Sequence, residues 1–122
     1  MAKKKPQKLT TDQIRKRLQA KLTDDNSHAI FFEVADGTGS AASRLCDAVA
    51  MSLWPSRGLD LHAFEFKASR SDWLKELRQP GKAEFFWKQC DFFTLVAGST
   101  DLVKEGEMPK DWGLMVPHAK GL

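Results

Sequence analysis

The chain has 122 residues, a length that builds one domain around a single hydrophobic core. No apolar run reaches the ~20 residues that a membrane-spanning helix needs. The basic N-terminus is not followed by an apolar stretch, so the sequence has no secretory-signal pattern. We therefore expect a cytoplasmic protein with no membrane partner.

Two cysteines, Cys46 and Cys90, are present. Neither belongs to a Cys or His pair with the spacing of a zinc site. Free thiols in apolar surroundings are the expected state of both.

Charge is distributed unevenly along the chain. Residues 1–21 carry eight Lys or Arg and one acid, whereas the remaining residues carry eleven basic and fifteen acidic side chains. A basic arm on a mildly acidic body suits a protein that contacts a polyanion and holds a metal in an acidic pocket. A solvated tail that only improves solubility accounts for the charge equally well.

Residues 1–9 are predicted to be a disordered basic arm, and residues 10–122 a single domain. Thr10 has the features of a helix N-cap, with Gln13 as its capping-box partner. A first helix is predicted over Thr11–Leu22, because apolar residues recur there at every fourth position. The opposite face of this helix is basic.

Three strands are predicted next, over Ala29–Ala35, Cys46–Trp54 and Leu59–Lys67. Residues 36–44 are small and polar, which predicts a loop between the first two strands. The turn signal Pro55–Gly58 predicts that the second and third strands form an antiparallel hairpin.

A second helix is predicted over Arg70–Arg78, with Ser69 as its N-cap. Further predicted elements are a helical stretch over Lys82–Gln89, a strand over Asp91–Ala97 and a short strand over Gly113–Val116. The resulting order α-β-β-β-α-β, with one more strand, predicts an α/β fold with a mixed sheet and helices packed on it.

The predicted hairpin brings three charged side chains together. Side chains alternate across a strand, so a register that pairs residue 47 with residue 65 places Asp47, Glu65 and Lys67 on one face. Two acids and a lysine beside an apolar face are costly unless they are paired or bind a ligand. Mg²⁺ takes one or two protein carboxylates together with water and substrate phosphate, so the pattern predicts a Mg²⁺ or Mn²⁺ site.

An ordinary explanation competes with this one. An acid-x-Lys triplet occurs about once by chance in a chain of this length, and Glu65 and Lys67 could form a simple surface pair. Three features favour the metal site: the triplet ends a strand, an acid lies on the same face of the partner strand, and a helix follows at once.

Over about 70 of its 122 residues, the sequence resembles the PD-(D/E)XK nuclease superfamily, and within it the MmcB-like DNA-repair proteins. Those proteins pair an R-x-x-D-like strand with a strand that ends E-x-K-[SA]-S-x-x-D, followed by a helix that ends in Cys-Asp. The residues that match are Arg44, Asp47, Glu65, Lys67, Ala68, Ser69, Asp72, Lys82, Cys90 and Asp91, with Trp112–Met115 as the last strand.

The resemblance implies a restriction-endonuclease-like αβββαβ core and a metal-dependent nuclease that hydrolyses DNA phosphodiester bonds. It implies that Asp47 and Glu65 bind the metal, that the Phe66 carbonyl joins them, and that Lys67 is the catalytic lysine. Glu33 would be an additional acid of the same site.

DNA is the partner that the resemblance implies, and no small-molecule cofactor is expected. A homodimer is possible, because two copies of so small a protein would cover more of a duplex. An alternative is a catalytically inactive nucleic-acid-binding or protein-interaction module on the same fold, and a third possibility is an interaction protein with a coincidental triplet. The predicted nucleic-acid contacts are Ser69, Lys82, Gln89, Arg44, Arg15 and Lys16.

Overall fold

A computed structural model describes residues 7–24, 27–35, 45–79, 86 and 88–122. Within these ranges, no helix is long and apolar enough to cross a membrane. The elements in chain order are α1 (Thr11–Thr23), β1 (His28–Ala35), β2 (Leu45–Ser52), β3 (Leu61–Lys67), α2 (Arg70–Arg78), β4 (Phe92–Ala97) and β5 (Trp112–Met115).

The predicted order of elements is confirmed, and the predicted bounds differ from these by at most two residues. The predicted loop over residues 36–44 lies outside the described residues. Of the predicted helix Lys82–Gln89, only residues 86, 88 and 89 are described, and they are helical.

The five strands form one mixed sheet in the order β1-β2-β3-β4-β5. β1, β2 and β3 are antiparallel neighbours, whereas β4 and β5 continue the sheet in parallel to β3. The predicted hairpin of β2 and β3 is confirmed, and a short 3-10 helix, Pro55–Arg57, lies in its turn. The chain therefore has the predicted α/β class with a mixed sheet.

The register of the hairpin agrees with the prediction. Ala48 pairs with Phe64 and Val49 pairs with Ala63, so one further step along the two strands places Asp47 opposite Glu65. This step lies beyond the last backbone pair, and side-chain contacts described below show how the two strands continue there.

The two helices pack on opposite faces of the sheet. The apolar side of α1, which includes Ile14 and Leu18, contacts Phe64 and Phe66 of β3. On the other face, Trp73 of α2 packs among residues of β4 and is fully buried. Burying an aromatic side chain of this size contributes roughly 2–3 kcal/mol to stability, which is enough to fix the position of the short helix α2.

The segment before α1 is more ordered than predicted at its end. Leu9 is buried, its N–H donates to the Gly98 carbonyl at 2.8 Å, and the Gln7 side chain donates to the Ala119 carbonyl at 2.7 Å. Residues 7–9 of the predicted arm therefore contact the folded domain, while residues 1–6 lie outside the described part. Glycine at position 98 makes the contact possible, because a Cβ there would lie 2.6 Å from the Leu9 carbonyl oxygen.

Candidate functional site

Asp47 lies where β2 separates from β3. The backbone ladder between the two strands ends at the pair Ala48 and Phe64, and beyond it the Phe66 N–H donates to Asp47 Oδ2 at 2.7 Å. A carboxylate oxygen thus occupies the place of a backbone carbonyl, which satisfies a strand N–H that would otherwise lose its partner. This bond holds the Asp47 side chain against β3.

Three charged side chains meet beside Asp47, at the end of β3. Lys67 Nζ lies 3.3 Å from Glu65 Oε1 and 3.6 Å from Glu76 Oε2. The side chains of Lys67, Glu65 and Glu76 are only 14%, 16% and 6% exposed. We refer to Asp47, Glu65, Lys67 and Glu76 as the acid–lysine cluster.

Glu76 is the member of the cluster that sequence reasoning missed. It lies on α2 three residues after Trp73, and the two residues form the buried side of this helix. Residues three apart share a helix face, so the spacing from Trp73 was the available signal.

The cluster holds more negative than positive charge, and Glu65 responds to it. Burial raises the pKa of Glu65 to about 8, and the nearby charges of Asp47 and Glu76 raise it further than Lys67 lowers it. For Lys67 itself, burial acts to lower the pKa, but the charges of Glu65 and Glu76 outweigh it and the pKa is raised. At neutral pH the cluster therefore retains a proton on Glu65 unless another cation enters.

A divalent cation fits this charge imbalance. Mg²⁺ and Mn²⁺ prefer oxygen ligands, and Mg²⁺ is commonly held by one or two carboxylates plus water and substrate phosphate. Asp47 and Glu65 are of the right kind and number for such a site. In the described part of the chain, no three or more His, Cys, Asp or Glu side chains are arranged to hold a metal, so the remaining ligands would be waters, substrate oxygens or the predicted Phe66 carbonyl.

Glu33 occupies the same row of the sheet but not the cluster. The pairs on either side of it, Phe32 with Ala48 and Val34 with Cys46, place Glu33 opposite Asp47 on β1. Its φ of 54° is left-handed, a conformation that is uncommon for residues other than glycine. Its side chain is exposed, and no ion pair or hydrogen bond joins it to the described members of the cluster.

Two predicted nucleic-acid contacts lie far from the cluster. Arg15 and Lys16 belong to α1, which covers the opposite face of the sheet. The Arg15 guanidinium lies 4.1 Å from the centre of the Phe32 ring, and Lys16 pairs with Asp12 at 3.1 Å. The structure therefore does not bring these two cations to the predicted site.

The other predicted contacts have separate locations. Ser69 accepts a hydrogen bond from the Asp72 N–H at 3.3 Å, so the predicted N-cap of α2 is confirmed. Gln89 is exposed and lies just before β4. There the Asp91 N–H donates to the carbonyl of Leu61, the first residue of β3, whereas Lys67 is the last residue of that strand. Arg44 and Lys82 lie outside the described residues.

Both cysteines are free, as expected, with Cys46 buried and Cys90 half-buried. Burial raises the pKa of the Cys46 thiol to about 12. Since the thiolate is the reactive form, burial makes the Cys46 thiol a weak nucleophile.

A cavity of about 400 Å³ adjoins the cluster on the side of α2. It shares two residues with the cluster, and the other four come from α2 and the residue that follows it. The residues that line it are Lys67, Asp72, Lys75, Glu76, Arg78 and Gln79. We refer to this cavity as the α2 pocket.

Comparison with known proteins gives no match: no family model matches the sequence, and neither the curated proteins nor the solved structures include one that matches it.

Proposed function

We propose that this protein is a metal-dependent nuclease that hydrolyses DNA phosphodiester bonds, in DNA repair or processing, on a restriction-endonuclease-like core. The observation that carries the proposal is the charge imbalance at Glu65. A carboxyl group whose pKa is raised to about 8 by burial and by Asp47, with a lysine ammonium 3.3 Å away, is typical of a catalytic site rather than of a surface pair.

Each member of the cluster has a chemical part in this proposal. Asp47 and Glu65 would hold Mg²⁺ or Mn²⁺, and the bound ion would stabilise negative charge on the phosphate and lower the pKa of a bound water. Lys67 would donate a hydrogen bond to the attacking water or to a phosphate oxygen, and so stabilise the charge that develops in the transition state. Glu76 would keep the Lys67 ammonium charged and in place.

The fold supports the same proposal. The acids come from a β-hairpin, the lysine ends its second strand, and a capped helix follows within three residues. This is the arrangement that the resemblance to PD-(D/E)XK nucleases implies. DNA is the favoured substrate because that resemblance is strongest to DNA-repair proteins.

A plasmid-nicking assay tests the proposal. We expect nicking with Mg²⁺ or Mn²⁺, none with EDTA, and a loss of about 10²–10³-fold or more in the Lys67→Ala variant. Lys120→Ala is the matched control, since Lys120 is an exposed lysine near the end of the chain and its loss should leave nicking unchanged. Circular dichroism of both variants checks that the fold is retained.

Two results would contradict the proposal. Nicking by Lys67→Ala at the wild-type rate would remove the lysine from the chemistry. Purified protein that neither nicks DNA nor melts at a higher temperature with Mn²⁺ would instead favour the inactive binding or interaction module.

A further inference from the structure

The α2 pocket carries two positive charges that have no partner among the described residues. Lys75 and Arg78 line it together with Gln79. Among the described residues, no ion pair or hydrogen bond engages the side chain of either Lys75 or Arg78. Two unpaired cations at one cavity favour a bound anion over a purely structural role.

The cations of α1 contrast with these two. Arg17 donates to the carbonyls of Ala119 and Gly121, Lys21 donates to the Leu122 carbonyl, and Arg15 stacks on Phe32. These side chains hold α1 against the C-terminal residues and β1. The basic face that the sequence assigns to nucleic acid is thus largely engaged within the protein, whereas Lys75 and Arg78 have no such partner among the described residues.

The pocket is also in the right place to hold part of the substrate. It shares Lys67 and Glu76 with the acid–lysine cluster, so an anion bound there lies next to the reacting groups. Its volume of about 400 Å³ is near the lower end of the range for small-ligand sites, ~300–1,000 Å³. That size suits one nucleotide, whereas the stacked bases of a duplex would stay outside it.

We propose that the α2 pocket binds one nucleotide of a single-stranded segment of the substrate, with its phosphate held by Lys75 and Arg78. That the bound nucleotide belongs to a DNA substrate rests on the proposed nuclease function. Asp72 and Glu76, the acids of the same pocket, repel a phosphate by charge, so Gln79 and the two cations supply its attractive contacts.

Fluorescence anisotropy with a labelled single-stranded DNA oligonucleotide, in EDTA, tests this proposal. We expect Lys75→Ala/Arg78→Ala to bind at least fivefold more weakly than the wild type. Its slope of log K against log salt concentration should also be shallower, by about 0.7 for each phosphate that the variant no longer neutralises. Lys110→Ala/Lys120→Ala removes the same charge from exposed positions and should bind as the wild type does.

Two further arms make the outcome decisive. A fully paired hairpin of the same length should show less than a twofold effect of Lys75→Ala/Arg78→Ala. The α1 variant Arg15→Ala/Lys16→Ala should have little effect on the affinity for either the single strand or the hairpin. The proposal is overturned if Lys75→Ala/Arg78→Ala binds single strands like the wild type, if it weakens the hairpin equally, or if the α1 variant accounts for the loss.

This test is independent of cleavage, because EDTA removes the divalent ion throughout. A protein that binds single strands through Lys75 and Arg78 but never nicks DNA would retain the pocket and lose the nuclease function. If the protein nicks DNA but binds single strands without any dependence on Lys75 and Arg78, the nuclease function is supported and the nucleotide-binding pocket is rejected.

Discussion

Two glutamates close to α2 have opposite electrostatic surroundings. Glu107 accepts hydrogen bonds from the Arg70 guanidinium at 2.9 and 2.7 Å and from the Lys104 N–H at 2.6 Å. These bonds lower the pKa of Glu107 to about 2, and the bonds from Arg70 have the largest effect. Glu65 also lies beside a cation, Lys67, yet its pKa is raised to about 8, first by burial and then by Asp47.

The difference lies in the balance of charge and of hydrogen bonds. Arg70 and Glu107 form a bidentate pair of one cation and one anion, and this geometry satisfies both partners. At the acid–lysine cluster, three carboxyl groups share the single ammonium of Lys67. The first arrangement ties a loop to the start of α2, whereas the second leaves negative charge for a ligand to neutralise.

The largest effect that separates the two sites is expected in the pH dependence of stability. Between the ordinary pKa of 4.5 and about 8, folded protein keeps a proton on Glu65 that unfolded protein has released. Stability should therefore fall as the pH rises through this window. Relative to the wild type, Glu65→Gln should gain on the order of 5 kcal/mol in free energy of unfolding between pH 4 and pH 9.

Denaturant unfolding across this pH range checks the prediction, with Mn²⁺ as a second arm. Saturating Mn²⁺ should stabilise the wild type at pH 8 and have little effect on Glu65→Gln. For Glu107 the pH dependence of stability has the opposite sign. Its contribution to the free energy of unfolding is present above pH 4.5 and is lost as the pH falls toward 2. Parallel pH curves for the wild type and Glu65→Gln would show that Glu65 does not retain its proton.

A smaller effect is expected when Glu76 is replaced. Glu76→Gln removes one of the two carboxylates that hold Lys67, and we expect a loss of about tenfold in kcat for DNA nicking. Because Glu76 also raises the pKa of Glu65, the variant should reach half of its maximal metal-dependent activity at a lower pH. The matched control is Glu105→Gln, at an exposed position. An unchanged pH profile would restrict Glu76 to a structural role.

The smallest effect is expected at the balanced pair. Arg70→Ala removes the bonds to Glu107 and to the Leu102 carbonyl, and should lower the melting temperature at pH 7 by roughly a few °C. The rise in melting temperature with Mn²⁺ should stay as in the wild type. Loss of the Mn²⁺ response would mean that Arg70 supports the cluster as well as the loop.

Local sequence signals predicted the parts of the site that depend on local structure. Ser69 caps α2, so the helix bounds Arg70–Arg78 could be predicted from the chain. Side-chain alternation put Asp47 and Glu65 on one face for a register that pairs them, and the observed pairs Ala48–Phe64 and Val49–Ala63 fit that register. Both results follow from geometry within about thirty residues.

The parts that were missed depend on contacts distant in sequence. The burial of Glu76 depends on which side of α2 faces β3, and the burial of Leu9 depends on the space that Gly98 leaves. Likewise, charge alone could not indicate that α1 packs on the face opposite to the cluster, or that its cations Arg15 and Arg17 are engaged within the protein. Each of these outcomes is set by how the sheet and helices assemble.

Calorimetric titration with Mn²⁺ measures whether Glu65 exchanges its proton for a metal ion. If an ion displaces the proton that Glu65 holds, binding at pH 7 should release about one proton per ion, measured from the dependence of the heat on buffer ionisation. The release should vanish at pH 9, and Glu65→Gln should bind at least tenfold more weakly. Mn²⁺ binding that releases no proton at pH 7, or that Glu65→Gln leaves unchanged, would contradict the account.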